Sequence, residues 1–331
     1  MKKILLHRSI ITVIILLVYE TSSYGQSMMA PYWMYDNNYL TDKYLINPAF
    51  AGYQYYPKIF IGTQRAEVQH LEAPSVHIAG FHSRLGISHN YYSEYLSNQK
   101  TERNAVGGLF FADKNGPFHI TGIKLDYVYS VPLDRFQFNI LSFGLGGILF
   151  SKSIKLDNNN STWIDDPFIA ANIGNKMTIP DFNAGILFSH HEKFYMGVSV
   201  SQIMQNSNPA KSNFTIPPVY RNYYFLSGYR FEMNLFEIEP SVAIGRNLAS
   251  KNHSNHGNFV DINVDFSLKP VVFTQSFRMD GYITSSLLYR ADKLEMGARV
   301  EWFSLNSSNA RLTGVALMVS YTFVPTKTSK E

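Results

Sequence analysis

The chain has 331 residues, of which 15% are aromatic and 16% are charged, and it contains no cysteine. Without cysteine, disulfide bonds and thiolate chemistry are excluded. The formal net charge is +4, a bias too small to indicate a nucleic-acid-binding protein. Soluble domains carry roughly a quarter charged residues, so the low charged fraction already sets this chain apart from them.

Residues 1–25 have the features of a secretory signal peptide. Three basic residues precede a nearly uninterrupted apolar run at residues 10–18, and Ser23-Tyr24-Gly25 then offers small residues at the spacing that a signal peptidase needs. The alternative is a permanent membrane anchor, but the run is shorter than the roughly 20 residues of a spanning helix. We therefore predict a cleaved signal peptide, whose removal lowers the formal net charge from +4 to +2.

Residues 26–57 are rich in tyrosine and show no strand-like alternation. They include the stretch Asn47-Pro48-Ala49-Phe50-Ala51-Gly52. Asn-Pro interrupts regular structure and Ala-Gly cannot fill a core, so this stretch is predicted to be a turn.

From Lys58 to Phe323 the sequence repeats one unit, a strand-length segment of alternating apolar and polar residues followed by a turn. In the last segment Val315, Leu317 and Val319 share one face, whereas Met318 and Ser320 lie on the other. About fourteen such strands are predicted, at residues 58–65, 75–83, 105–113, 118–131, 136–154, 182–190, 193–203, 221–233, 236–246, 259–268, 271–279, 282–290, 294–303 and 311–323.

The predicted connections alternate between short and long along most of the chain. Residues 155–181, 204–220 and 247–258 are long and polar, and the connections between them have only two or three residues. This alternation is typical of an outer-membrane β-barrel, in which short turns face the periplasm and long loops face outside. Residues 84–104 form a long connection on the predicted periplasmic side, so they hold a small element or mark a misplaced strand.

A secreted β-sandwich is the alternative, because its strands also alternate. Aromatic residues nevertheless gather near predicted strand ends, among them Tyr127, Tyr129 and Trp302, where barrels place interfacial girdles. A soluble protein with so many exposed aromatics would aggregate. We therefore predict an all-β fold: a transmembrane antiparallel up-and-down outer-membrane β-barrel of about 14 strands, covering residues 58–323, in the lipid bilayer of the cell outer membrane. Residues 324–331 are predicted to be a polar tail.

In this topology residues 26–57 start in the periplasm. We interpret residues 47–52 as the turn that folds this segment under the barrel mouth, where its aromatics plug the lumen or dock a partner. The alternative is a simple spacer.

The order of several motifs resembles the PorP/SprF family of the type IX secretion system. The motif "YLINPAFAG" at residues 44–52 is followed by Gln64 and Arg65, and then by "EAPS", which contains Pro74. Further matches are "DKNG" (113–116), "LSFGLGG" (141–147), "PDFNAGI" (180–186), "FYMGVSV" (194–200) and "IEPSVAI" (238–244). One departure is the absence of the tryptophan that family members usually carry shortly after the arginine, where this chain has Ala66-Glu67-Val68.

The resemblance implies an outer-membrane protein related to the long-chain fatty-acid porin-like barrels. It further implies partners, namely type IX secretion components and a large secreted adhesin, in gliding or adherent Bacteroidetes. The family has no assigned catalytic residues, so the resemblance implies none here.

The sequence itself indicates no active site and no cofactor. A zinc site needs three or four converging ligands, whereas the histidines occur at most in pairs: His253 with His256, His190 with His191, and His77 with His82 on opposite faces of one strand. Asp157, Asp165 and Asp166 lack the spacing of a calcium-binding loop. His82 and Ser83 are the nearest candidates for a hydrolase, and adjacent strand residues face opposite ways. We predict that the protein is not an enzyme.

Charged residues are predicted on the inner faces of several strands, and they allow two interpretations. The first is that opposite charges pair across neighbouring strands and fill a narrow interior. The second is a selective pore, in which rings of charge sort solutes. The predicted inward residues are Lys124, Asp126, Glu237, Glu239, Asp261, Asp265, Glu295, Arg299 and Glu301.

Two functions therefore remain open. The first is a secretion-system barrel that assists secretion or surface attachment of a cargo adhesin by protein–protein interaction. The alternative is a porin-like channel for small hydrophobic or sugar solutes. A neighbouring gene for a giant repetitive secreted protein would favour the first, and a substrate-utilisation operon would favour the second.

Overall fold

A computed structural model describes residues 42–54, 56–66, 74–85, 103–156, 165–205, 221–247, 259–279, 281–303 and 311–324. The predicted signal peptide, residues 26–41 and the predicted tail beyond Val324 lie outside these residues. So do the loop histidines His253 and His256, and Asp157. Among the described residues, no helix is long and apolar enough to cross a membrane.

The described residues form one antiparallel sheet that closes on itself. Sequential strands pair with one another, β1 pairs with β15, and β10 pairs with β11, so the ring has no free edge. The strands are β1 (Lys58–Ala66), β2 (Ser75–Arg84), β3 (Asn104–Asn115), β4 (Phe118–Pro132), β5 (Asn139–Ile154), β6 (Lys176–His190), β7 (Phe194–Ser201), β8 (Asn222–Tyr229), β9 (Phe231–Glu232), β10 (Glu237–Asn247), β11 (Phe259–Leu268), β12 (Val271–Arg278), β13 (Tyr282–Ala291), β14 (Leu294–Phe303) and β15 (Arg311–Thr322).

The two-residue strand β9 continues β8 beyond a break at Arg230 and pairs only with β10. The wall therefore has fourteen strands, and the predicted fold class is confirmed. A six-residue α-helix, α1 (Pro167–Asn172), precedes β6.

The alternation of side chains places apolar residues on the outer face, and it fills the lumen with a mixture of polar and apolar side chains. On β4, Leu125 is 61% exposed on the outer face and its neighbour Lys124 is 1% exposed. On β11, Ile262 is 54% exposed and Asp261 is fully buried. A strand with a period of two can satisfy lipid on one face and a polar lumen on the other, which is the arrangement that membrane-spanning barrels need. The predicted assignment of inward-facing and outward-facing residues on these two strands is confirmed.

Short connections join β4 to β5, β6 to β7, β9 to β10, β11 to β12 and β13 to β14 at one end of the barrel, here called the short-turn end. Two further short connections, β3–β4 and β12–β13, lie at the opposite end. Strand β1 begins at this end, because Lys58 pairs with Thr322, whose N–H donates to the carbonyl of Lys293. The β4–β5 turn is held by Asp134, whose carboxylate accepts the N–H groups of Phe136 and Asn139 at 2.9 and 2.6 Å.

Two predicted boundaries are wrong, for local reasons. Strand β6 begins at Lys176 rather than at residue 182, because Met177 and Ile179 already alternate inward and Pro180 is tolerated in the ladder opposite Leu149. Strand β5 begins at Asn139 rather than at residue 136, because the Asp134 turn holds the intervening residues.

The long connection after β2 does not reflect a misplaced strand. Arg84 pairs directly with Ala105 of β3, and the N–H of Leu85 donates to the carbonyl of Asn104 at 2.8 Å. The strands on both sides of this connection are therefore neighbours, and residues 86–102 lie outside the described part of the chain.

Candidate functional site

A described stretch that precedes β1 lies inside the barrel. Residues 42–54, here called the lumenal segment, contain two 3₁₀ turns, Lys43–Leu45 and Pro48–Phe50. The side chain of Asp42 caps the first turn by accepting the N–H of Tyr44, and that of Asn47 caps the second by accepting the N–H of Ala49 at 2.9 Å. Asp and Asn are preferred caps and proline fits the first position of a turn. The Asn-Pro sequence therefore explains the local conformation.

The structure places all six predicted site residues, Asn47, Pro48, Ala49, Phe50, Ala51 and Gly52, in the lumen, where they are buried. Their described contacts are with the barrel wall. Docking of a partner by this turn stays a prediction.

Both ends of the lumenal segment lie at the short-turn end. Asp42 contacts Lys58, the first residue of β1, at 3.2 Å. Tyr53 donates its hydroxyl hydrogen to the carbonyl of Glu192 in the β6–β7 turn at 3.2 Å. Between them, Asn47 donates to the carbonyls of Ile186 and Val198, both at 3.3 Å and well inside β6 and β7. The segment is a loop that rises into the lumen and returns to the same mouth.

Tyr44 is the deepest anchor of the lumenal segment. Its hydroxyl donates to Asp126 at 2.5 Å, and Lys124 lies 4.3 Å from the centre of its ring while donating to its carbonyl at 3.2 Å. Asp126 is also paired with Lys124 at 3.3 Å and accepts from Asn183 at 3.0 Å. Burial and the neighbouring Asp126 raise the pKa of the Tyr44 phenol well above its usual value. The phenol is therefore a permanent donor to the buried carboxylate.

Glycines in the wall make room for the lumenal segment. A Cβ atom at Gly144 would lie 2.5 Å from the backbone nitrogen of Ala49, and one at Gly107 would lie 2.7 Å from the ring of Tyr44. A Cβ at Gly197 would lie 2.8 Å from Nδ2 of Asn47, and one at Gly185 would overlap the Oδ1 of Asn47. Real Cβ atoms do not approach other atoms so closely. The glycine-rich motifs are thus the surface on which the segment packs.

Ion pairs hold the lumenal segment at the mouth. The Asp42 carboxylate contacts both Lys58 and His82 at 3.2 Å. Burial raises the pKa of Asp42, but Lys58, His82 and the N–H of Tyr44 together hold that pKa well below its usual range. These partners at the mouth stabilise the ionised carboxylate of Asp42.

On the opposite side of the mouth, Lys43 contacts Glu239 at 3.1 Å, and Arg230 contacts the same carboxylate at 3.0 Å. Burial lowers the pKa of Lys43, but Glu239, Tyr195 and Asp265 together outweigh the effect of burial and raise that pKa well above its usual value. A buried ion pair needs such additional partners to offset the cost of removing charges from water.

The return of the segment is fixed by Gly52 and by aromatic contacts. Gly52 has φ +72°, which a side chain would strain, and a Cβ there would lie 2.6 Å from that of Ala105. Arg84 donates to the carbonyl of Gly52 at 2.7 Å. The ring of Phe50 packs edge-on against those of Tyr53 and Tyr195, with centroids 5.4 and 5.6 Å apart. Phe50 and Gly52 therefore have distinct structural roles in the turn.

The other motif residues lie elsewhere. Gln64 is buried in the lumen toward the long-loop end, where it donates to Glu301 at 3.3 Å and accepts from Arg299 at 3.0 Å. Arg65 is exposed on the outer face, and Pro74 is buried just before β2. The structure does not gather these residues around the lumenal segment.

Several predicted lumenal charges form pairs. Asp261 pairs with Arg278 of the neighbouring strand at 2.7 Å, Glu295 pairs with Arg290 at 2.5 Å, and Arg299 pairs with Glu301 at 3.4 Å. These contacts fit the first of the two interpretations, in which opposite charges fill the interior.

The histidines show no convergence of ligands. His82 points into the lumen toward Asp42, whereas His77 faces outward and contacts Thr63 at 2.9 Å, so the predicted opposition of these two is confirmed. Within the described ranges, no three His, Asp or Glu side chains lie close enough together to hold a metal ion.

Sequence reasoning missed Tyr44, Asp42 and Lys43 as site residues, and it predicted their partners Lys124, Asp126 and Glu239 only as inward-facing charges. A signal was present, since Gly144 and Gly146 fall on the inward face of "LSFGLGG". An inward face without side chains leaves space that something else must fill.

The fold and the site together define a transmembrane β-barrel whose lumen is occupied by its own N-terminal segment. The family described as type IX secretion system membrane protein PorP/SprF matches residues 29–323. The chain therefore belongs to the PorP/SprF family, and the family resemblance of the motifs is confirmed. No curated protein matches the chain.

Solved structures similar to this chain include outer-membrane barrels of low sequence identity. The P. putida toluene transporter TodX has 6% identity and a TM-score of 0.45, over 83% of this chain and 92% of that one. The monoaromatic hydrocarbon channel CymD has 9% identity and a TM-score of 0.46, over 90% and 94% of the two chains. BamA from Haemophilus ducreyi lacking POTRA domains 1–3 has 7% identity and a TM-score of 0.38, over 81% and 70%.

Proposed function

We propose that this outer-membrane barrel assists the secretion or surface attachment of a large secreted adhesin by protein–protein interaction, together with other type IX secretion components. Membership of the PorP/SprF family supports a role in type IX secretion. The lumenal segment is the observation that argues against a passive channel, because its residues 44–52 are buried and it contacts the wall from β1 to β10.

A passive channel needs a continuous polar path through its lumen. In the short-turn half of this barrel, the path is occupied by Tyr44, Asn47 and Phe50 and by their bonds to the wall. Removing the segment would leave Asp126, Lys58 and Glu239 without partners that they have now. The segment therefore fills this path and also completes the ion pairs and hydrogen bonds of these wall residues, so a permanently open pore is disfavoured.

The test compares a strain that produces the wild-type protein with one in which residues 27–52 are deleted behind the intact signal peptide. Surface adhesin is measured at matched abundance of folded barrel, and uptake of small hydrophobic and sugar solutes is measured in parallel. We expect surface adhesin to fall in the deletion strain, together with co-purification of secretion components from detergent-solubilised outer membrane. Unchanged surface adhesin with altered solute uptake would contradict the proposal and favour the channel.

A further inference from the structure

The wall recognises the main chain of the lumenal segment. Lys124 donates to the carbonyl of Tyr44 at 3.2 Å, Ser199 donates to the carbonyl of Ile46 at 2.6 Å, and Arg84 donates to that of Gly52 at 2.7 Å. Every peptide carries such carbonyls. These contacts are therefore open to any peptide that can adopt the same path, as in other modes of peptide recognition.

Two side-chain positions add selectivity. The tyrosine position is formed by Asp126, by His82 and by the space above Gly107. The asparagine position lies above Gly185 and Gly197 and offers two strand carbonyls. The wall therefore fits a peptide with the pattern Tyr-x-x-Asn-Pro, in which the proline follows the asparagine directly.

The path of the segment permits exchange. Asp42 and Tyr53 both lie at the short-turn end, and the segment turns back inside the lumen. A loop of this kind enters and leaves through one mouth, so no chain end has to be threaded through the barrel. A peptide that takes the same path would enter through this mouth, which is predicted to face the periplasm.

We propose that the short-turn half of the lumen is a peptide-binding site, in which the chain's own segment is a resident occupant that a Tyr-x-x-Asn-Pro peptide of a partner protein displaces. The site follows from the lumenal contacts alone and does not rest on the function proposed above. The segment and the partner peptide compete for this one site.

The experiment uses the full-length protein with a protease site inserted between Gln54 and Tyr56, beside the exposed side chain of Gln54. The purified barrel is cleaved in detergent, and its folded state is checked by heat-modifiable migration on gels. A fluorescent synthetic peptide with the sequence of residues 42–54 is then added. We expect saturable binding to the cleaved barrel that unlabelled peptide reverses, and at least tenfold weaker binding to the uncleaved barrel.

Peptide variants distinguish lumenal binding from adsorption. A Tyr44→Phe peptide lacks the hydroxyl that bonds Asp126 and should bind roughly tenfold more weakly, since a hydrogen bond to a charged group is lost. A peptide of the same composition in scrambled order is the matched control. Equal binding to cleaved and uncleaved barrels, equal affinity for the scrambled peptide, or failure of the cleaved segment to exchange would each overturn the proposal.

Discussion

At the scale of single residues, the glycines of the wall carry the most specific information. Gly144 and Gly147 belong to the same strand, β5, but they differ in surroundings. A Cβ at Gly144 would meet the backbone of Ala49, whereas a Cβ at Gly147 would have nothing within 4 Å. The pair therefore offers a substitution and its matched control within one motif.

We expect Gly144→Ala to displace the lumenal segment, because the colliding atoms belong to backbone and cannot rotate away. Overpacking of this kind costs about 1–3 kcal/mol. Protease sensitivity of the segment in the folded barrel should rise for Gly144→Ala and stay at the wild-type level for Gly147→Ala. Equal sensitivity of the two variants would show that the segment does not pack on β5.

Asp42 gives a prediction with a defined pH range. Its carboxyl pKa is held well below the usual range by Lys58 and His82 against the effect of burial. A group with a depressed folded pKa contributes stability that is fully present above its unfolded pKa of about 4, and that is lost as the pH falls toward the folded pKa.

We therefore expect wild type to have a higher thermal midpoint than Asp42→Asn at pH 7, and we expect this difference to shrink as the pH falls below about 4. Asp292→Asn changes an exposed residue of the β13–β14 turn and serves as the control, with little effect at either pH. A difference between wild type and Asp42→Asn that stays constant down to pH 2 would argue against the ion pair at the mouth.

At the scale of elements, the two faces of one strand should respond differently to charge. Leu317 is 55% exposed on the outer face of β15, and its neighbour Met318 faces inward. Leu317→Arg places a charge toward lipid and should cost roughly 2–4 kcal/mol near the midplane. Met318→Arg should be much milder, because the lumen already holds paired charges.

The yield of folded, heat-modifiable barrel in outer-membrane fractions measures this difference. If both arginine variants lower the yield equally, the assignment of the outer face is wrong.

The strands were predictable because a period of two is imposed locally, by lipid on one side and a filled lumen of polar and apolar side chains on the other. The start of β6 was missed because Pro180 and Asp181 resemble a turn when only their neighbours in sequence are considered. The packing of Asn47 against Ile186 and Val198 joins residues 139 and 151 positions apart. No local pattern reports such a contact, so the sequence predicted the turn and gave plugging of the lumen as one of two roles for the segment, but it did not predict the contacts with the wall.

At the scale of the whole molecule, we make a prediction about which end of the barrel faces the periplasm. The connections at the short-turn end are predicted to face the periplasm, and the chain has no native cysteine to interfere with labelling. A cysteine introduced at residues 158–161 should react with an impermeant reagent on intact cells, whereas Asp134→Cys and Glu192→Cys should react only after the outer membrane is permeabilised. The reverse pattern would mean that the barrel is inserted upside down relative to this expectation.

The position of the lumenal segment directly before β1 has a consequence for how the barrel is assembled. Strand β1 closes the ring by pairing with β15, more than 250 positions later in the chain. The segment touches β1, β2, β4, β6, β7 and β10 at once, and a slip of one residue in any of these strands would turn its contact groups away from the segment. The lumenal segment is synthesised before the strands. It can form all of its contacts only when every one of these strands has reached its native register, so its binding in the lumen favours the correctly closed barrel.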